Sequence, residues 1–199
     1  MPSLEERQRE MSEYLKDDAE RIFSERTSQT MERLHTHKAE ILQSLIDAMR
    51  SSSALVQPII ASGRKQKVKY LQFSFLLSGV LTRELRLKMD FLDARYYADI
   101  TDSGGYWDYS ALLPFVDEDM EILRNKLLKQ FRRVMEYELS DIRMVYCVGL
   151  FAIMEMALTE LVAETAFAEA LAEVFEPEVF VLYGAYHDQA KLIATIAGR

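Results

Sequence analysis

The stretch "ELRLKMDF" (residues 84–91) alternates polar and apolar side chains without exception. A helix would scatter Leu85, Leu87, Met89 and Phe91 around its axis; a strand lines them up on one face and leaves Glu84, Arg86, Lys88 and Asp90 on the other. This part of the chain is therefore a half-buried strand. Just upstream, "KVKYLQFSFL" (67–76) is rich in Val, Tyr and Phe and predicts a partner strand, with Ser78-Gly79 available for the connection. Downstream, "RYYADI" (95–100) reads as a third strand and "DSGG" (102–105) as a turn or loop, which places a small antiparallel hairpin or sheet over 67–98.

Helices flank it. Ser3-Leu4-Glu5-Glu6 fits a capping box, and no glycine or proline follows until Pro58. Met31, Leu34, Ile41, Leu45, Ala48 and Leu55 recur at three- and four-residue steps, while Leu4, Met11, Leu15 and Ile22 form a stripe in another phase. The polar run "SERTSQT" (24–30) separates them, so either one helix changes its contact face there or two helices meet. Asp117 predicts the cap of a helix over 118–137, Ser140 the cap of one over 141–175, and Pro177 the first turn of one over 178–197. "EVFVLYGAY" (178–186) fits a strand as well as it fits a helix. The fold class is α+β, predominantly helical: a long N-terminal helix or helix pair, the small sheet in the middle and a C-terminal helical bundle. Residues 1–57 read as a helical extension suited to self-association, and 58–199 as a globular domain.

With 199 residues and about half of them apolar, the chain can bury one good core. A single cysteine allows no internal disulfide, and the opening Pro2-Ser3-Leu4-Glu5-Glu6 lacks the order of a signal peptide, so the cytoplasm is the expected location. The longest apolar run, Met144 to Ala163, has the length of a membrane span but contains Glu155 and Glu160 and reads as a buried helix. The net charge of −8 is uneven: residues 64–95 hold eight Lys/Arg against three Asp/Glu, and residues 96–199 hold eight against eighteen.

Four groups of residues could carry a function. Tyr96, Tyr97, Asp99, Tyr106, Trp107, Asp108 and Tyr109, with Asp102 among them, combine flat rings with carboxylate acceptors, a set that either stacks on a small ligand or covers the end of the sheet. Lys65, Lys67, Lys69, Arg83, Arg86 and Lys88 fall on two neighbouring strands, which predicts a cluster of positive charge for a phosphate or nucleic-acid backbone. The overall −8 argues against nucleic acid, so complementarity to an acidic surface is the better use. Glu155 lies in an otherwise apolar helix, where a carboxylate must find a partner or have its pKa raised. His187-Asp188, beside Tyr183 and Tyr186, could orient an imidazole for base chemistry, whereas the lone Cys147 reads as a packed thiol.

Metal chemistry finds no support. A calcium loop starting at Asp99 fails at its twelfth position, which is Ser110 instead of a glutamate. His35 and His37 diverge on a helix, and the glutamates between Arg143 and Lys191 do not share a helix face. No phosphate-binding glycine loop, dinucleotide fingerprint, nucleophile elbow, paired-cysteine or zinc-protease motif occurs, so no cofactor is assigned. The expectation is a ligand-binding or protein-interaction module that self-associates, with a dimer favoured, through its N-terminal helix. A small enzyme or sensor built on Glu155 and His187, and phosphate binding at the hairpin, are the alternatives.

Overall fold

The computed structural model describes residues 4–101, 103–171, 174–186 and 188–197. The α+β class and its helical majority hold. Helix α1 (Leu4–Thr36) and helix α2 (Lys38–Ala61) meet at His37, not at "SERTSQT". That run stays helical, with its hydroxyls turned back onto the helix: Thr27 Oγ1 donates to the Phe23 carbonyl at 2.8 Å and Ser28 Oγ to that of Ser24 at 3.3 Å. The apolar stripe of α1 is used inside the chain. Met11, Leu15, Ile22 and Leu34 are buried, and Arg26 holds the buried Asp119 through three hydrogen bonds of 3.0, 3.0 and 2.7 Å while the Tyr146 hydroxyl donates to the same carboxylate at 2.5 Å. The segment expected as an extension is thus packed on the helices described next.

Strand β1 (Val68–Phe75), the short helix α3 (Leu77–Thr82), strand β2 (Arg86–Leu92) and strand β3 (Gly104–Asp108) follow, then helices α4 (Val116–Gln130), α5 (Glu136–Val162) and α6 (Thr165–Ala170), and finally strands β4 (Phe175–Ala185) and β5 (Ala190–Ala197). The five strands form one sheet in the order β3-β2-β1-β4-β5, with β1 and β4 parallel and every other pair antiparallel. The sheet is therefore mixed and larger than the antiparallel hairpin expected.

The expected helix over 178–197 is a β-hairpin. Val179, Val181 and Tyr183 alternate onto the buried face, and β-branched and aromatic residues fit that pleated, half-buried surface. Pro177 sits where the ladder shifts register between Val68 and Tyr70, a place where its missing N–H costs nothing. Helix α4 stops at Gln130, short of 137, because Phe131 turns to an extended conformation and sets its ring edge-on to Tyr14 at 5.9 Å. The helix expected over 141–175 starts earlier, at Glu136, where the Met135 amide donates to Glu138 Oε2 at 2.7 Å, and it ends at Val162 with α6 separate.

All the long helices lie on one face of the sheet. Leu71, Phe73, Leu87, Met89, Phe91 and Val181 point into that layer and are fully buried; Phe75 stacks on Phe151 of α5 at 3.9 Å. Helix α5 is long and apolar enough to cross a membrane by composition, but 56% of its apolar window is buried in this fold, which makes it the core helix. The opposite face of the sheet carries Tyr70, Gln72, Ser74, Lys88, Asp90, Leu92 and Tyr106, with no α-helix over it among the described residues.

Candidate ligand-binding cleft

The loop after β2 folds back over the helix-free face of the sheet, and buried ion pairs hold it there. Lys65 and Asp99, whose side chains are both inaccessible, form a direct salt bridge. The Asp93 and Thr101 amides donate to Asp99 at 3.1 Å each, and Arg95 bonds Asp93 at 2.6 Å. Arg95 beside it, helped by the amides of Arg95 and Gln66, lowers the Asp93 carboxyl to a pKa of about 2. Burial alone would raise Asp99, but the Lys65 ammonium and the two amides outweigh it and hold it below the usual carboxylate range.

This latch supports a strained turn. Tyr96 has φ 56°, a left-handed conformation that costs a non-glycine residue roughly 1 kcal/mol. The turn brings its ring to 4.9 Å from Tyr70 and 4.1 Å from Tyr97, and its hydroxyl donates to Gln72 Oε1 at 3.3 Å. The Tyr97 hydroxyl reaches across to the Asp188 carbonyl at 3.1 Å, tying the loop to the β4–β5 turn.

Between that loop and that turn lies a cleft of about 760 Å³, lined by Gln72, Lys88, Asp90, Tyr97, Ile100 and Tyr186 with Leu92, Asp99, Thr101, Asp188 and Gln189. Its floor is an ion pair. Lys88 Nζ lies 3.1 Å from Asp90 Oδ1 and donates to the Tyr186 hydroxyl at 3.0 Å, and the two charged side chains are only 15% and 16% exposed. Burial would lower the Lys88 ammonium, but the bonds to Tyr186 and Asp90 prevail and raise it, so Lys88 stays a cation. Beside it, Gln72 and Ser74 are buried polar residues bonded to each other at 3.1 Å. At the lip, Ile100 is 93% exposed. Compared with known proteins, the chain matches no family model, no curated protein and no solved structure.

The aromatic set divides. Tyr97 and Asp99 line the cleft, and Tyr96 packs behind Tyr97. Trp107 and Tyr109 turn the other way into the core, and Trp107 Nε1 donates to Ser44 Oγ of α2 at 3.0 Å. Tyr106 and Asp108 are exposed on β3, outside the lining. Asp102 lies outside the described residues. The Gly-Gly pair is part of β3 instead of a turn: a Cβ on Gly104 would stand 1.8 Å from the Met89 carbonyl oxygen, and one on Gly105 2.2 Å from Ser52 Oγ.

The expected basic cluster does not assemble. Lys65 is consumed by Asp99. Antiparallel pairing sets Lys88 opposite Ser74, the far end of β1 from Lys69, which lies 4.0 Å from Glu178 and over the Phe180 ring. Lys67 is exposed before β1. Arg83 and Arg86 line a separate cleft of about 320 Å³ with Arg143, where Glu84, Asp108 and Asp117 balance their charge.

Glu155 is not an isolated buried acid: it pairs with Lys191 of β5 at the margin of the core. His187 lies outside the described residues. Cys147 is buried, and burial pushes its thiol up to about 11, which removes the thiolate a nucleophile needs. Among the described residues no group of His, Cys, Asp and Glu has the geometry to hold a metal ion.

Sequence reasoning missed Gln72, Asp90, Ile100, Thr101 and Gln189. One signal was present: Gln72 and Ser74 interrupt the apolar run of β1 at alternate positions, which is what a strand with a second, polar face requires.

Proposed function

We propose that this chain is a binding module whose ligand is a small polyhydroxylated molecule of sugar type, held in the cleft on the helix-free face of the sheet. The Lys88–Asp90 pair carries the reading. It offers a strong donor and a strong acceptor side by side with no net charge, and two adjacent hydroxyls on one ligand complement it, one accepting from Lys88 and the other donating to Asp90. Tyr97 and Tyr186 give flat walls for the C–H faces of a ring, and Gln72 and Gln189 add amide donors and acceptors. A phosphorylated or carboxylated ligand fits less well, because among the described lining residues Asp90 and Asp188 outnumber Lys88 once Asp99 is neutralised by Lys65.

The test is calorimetric titration with a panel of monosaccharides, inositol and ribose. At least one member should bind with a Kd of about 1 mM or tighter, and Lys88→Met and Asp90→Asn should each weaken it at least tenfold, the ~1.4 kcal/mol expected for one charge-assisted hydrogen bond. Binding that survives both variants, or no binding by any member, would overturn the reading.

A further inference from the structure

The sheet ends in two unlike edges. Strand β3 is five residues long, starts with two glycines and is pinned to α2 through Trp107. Strand β5 is eight residues long, reads AKLIATIA, and pairs only with β4 among the described residues. Edge strands normally defend their free N–H and C=O groups with prolines, several charges or a covering element. Strand β5 has no proline and one charge, Lys191, already paired with Glu155; its single defence is the register shift at Ile193.

Beside this edge runs an unpartnered helix face. Val145, Val148, Ala152 and Met156 of α5 follow three- and four-residue steps and are exposed, Val145 by 76% and Met156 by 52%. No charged residue lies between Arg143 and Glu155, and the Glu155–Lys191 bridge joins this face to β5.

We infer that β5 and the exposed face of α5 form one interface, and that its occupant is a second copy of this chain, paired antiparallel through β5 about a two-fold axis. Three features favour a copy over another protein. An antiparallel strand pair is self-complementary in its hydrogen bonds, so one surface serves both partners. A chain of net charge −8 opposes its own approach elsewhere, whereas this face is apolar with its one cation neutralised. The antiparallel arrangement also puts the two Lys191 residues at opposite ends of the joined ribbon.

Size sets the strength. Eight strand residues span about 26 Å, and one sheet layer plus one helix layer are about 20 Å deep, giving on the order of 500 Å² per copy, the small end for specific interfaces. The dimer should therefore be concentration-dependent.

Sedimentation equilibrium across protein concentration reads this directly. The mass should rise from the 23.1 kDa of one chain toward twice that value. Thr195→Lys and Met156→Lys, both at exposed positions, should each weaken association tenfold or more, and the amides of β5 should gain hydrogen-exchange protection as concentration rises. Leu55→Lys is the control: Leu55 belongs to the N-terminal stripe and is 67% exposed. A mass of one chain at every concentration would overturn the inference. So would a dimer that ignores both β5/α5 variants, or one that only Leu55→Lys disrupts.

Discussion

The two faces of the sheet are built from the same strands and do opposite things. On the helical face Phe73, Met89, Phe91, Trp107 and Tyr183 meet α2 and α5, and the polar atoms of these side chains are bonded: Trp107 bonds Ser44 and the Tyr183 hydroxyl bonds the Phe151 carbonyl at 2.8 Å. On the other face the alternate residues Gln72, Ser74, Lys88 and Asp90 are polar and partly or wholly buried, yet they are covered by a loop and not by a core. Burying polar groups is costly unless they are bonded, and a fold that needed only a lid would use apolar side chains there. The difference marks the helical face as the source of stability and supports the open face as the proposed binding surface.

Substitutions should separate the two faces by size of effect. The largest loss belongs to the helical face: Phe91→Ala empties a fully buried site and should cost about 3–5 kcal/mol in chemical denaturation. Nearly as large is Lys65→Met, which leaves the Asp99 carboxylate in the interior with only the longer Arg95 contact of 3.4 Å and should cost about 3 kcal/mol, because breaking a buried pair leaves a poorly compensated charge. Restoring apolar character on both sides, with Lys65→Met and Asp99→Leu together, should recover part of that loss.

Acid should loosen the open face first. Asp93 and Asp99 have folded pKa values below their ordinary values near 4, so their contribution is present above that pH and is lost as pH falls toward the value of about 2 for Asp93. Carboxyl carbon shifts followed by NMR should titrate near 2 for Asp93 and below the ordinary value for Asp99, with amide exchange rising in the 93–101 loop before β1 and β2 respond. The smallest stability effect belongs to the floor of the cleft. Lys88→Met takes the lysine away from Asp90, which is only 16% exposed, and should cost about 1–2 kcal/mol, less than either change above, while removing ligand binding. A stability loss as large as that of Phe91→Ala would assign Lys88 to the core and break the contrast.

The alternation of 84–91 placed β2 and its buried face correctly, because a period of two admits no helical reading. The N-terminal helices were equally plain, but their partner was not: a stripe of Met11, Leu15 and Ile22 looks the same whether it meets α5 of its own chain or another copy. Residues 178–197 were lost to ambiguity, since a short run of Val, Phe, Leu and Tyr satisfies both periods and only the parallel pairing with β1 selects the strand. That pairing also explains why the cleft escaped notice: it brings Tyr186 beside Lys88, 98 residues away in sequence. Tyr97, Asp99 and Lys88 were singled out as parts of two separate sites, and they line one. Nothing in the residue order marks Lys65 as the buried partner of Asp99, because burial of a lysine depends on a carboxylate that arrives through the fold.

The most direct test of the open-face site is a ¹H–¹⁵N titration of the isotopically labelled chain with the tightest-binding monosaccharide of the panel. Saturable shifts confined to Gln72, Lys88, Tyr97, Ile100, Thr101 and Gln189, and absent in Lys88→Met, are the predicted result. Shifts centred on α5 or on the Arg83–Arg86 cleft, or a spectrum that ignores the whole panel, would contradict it.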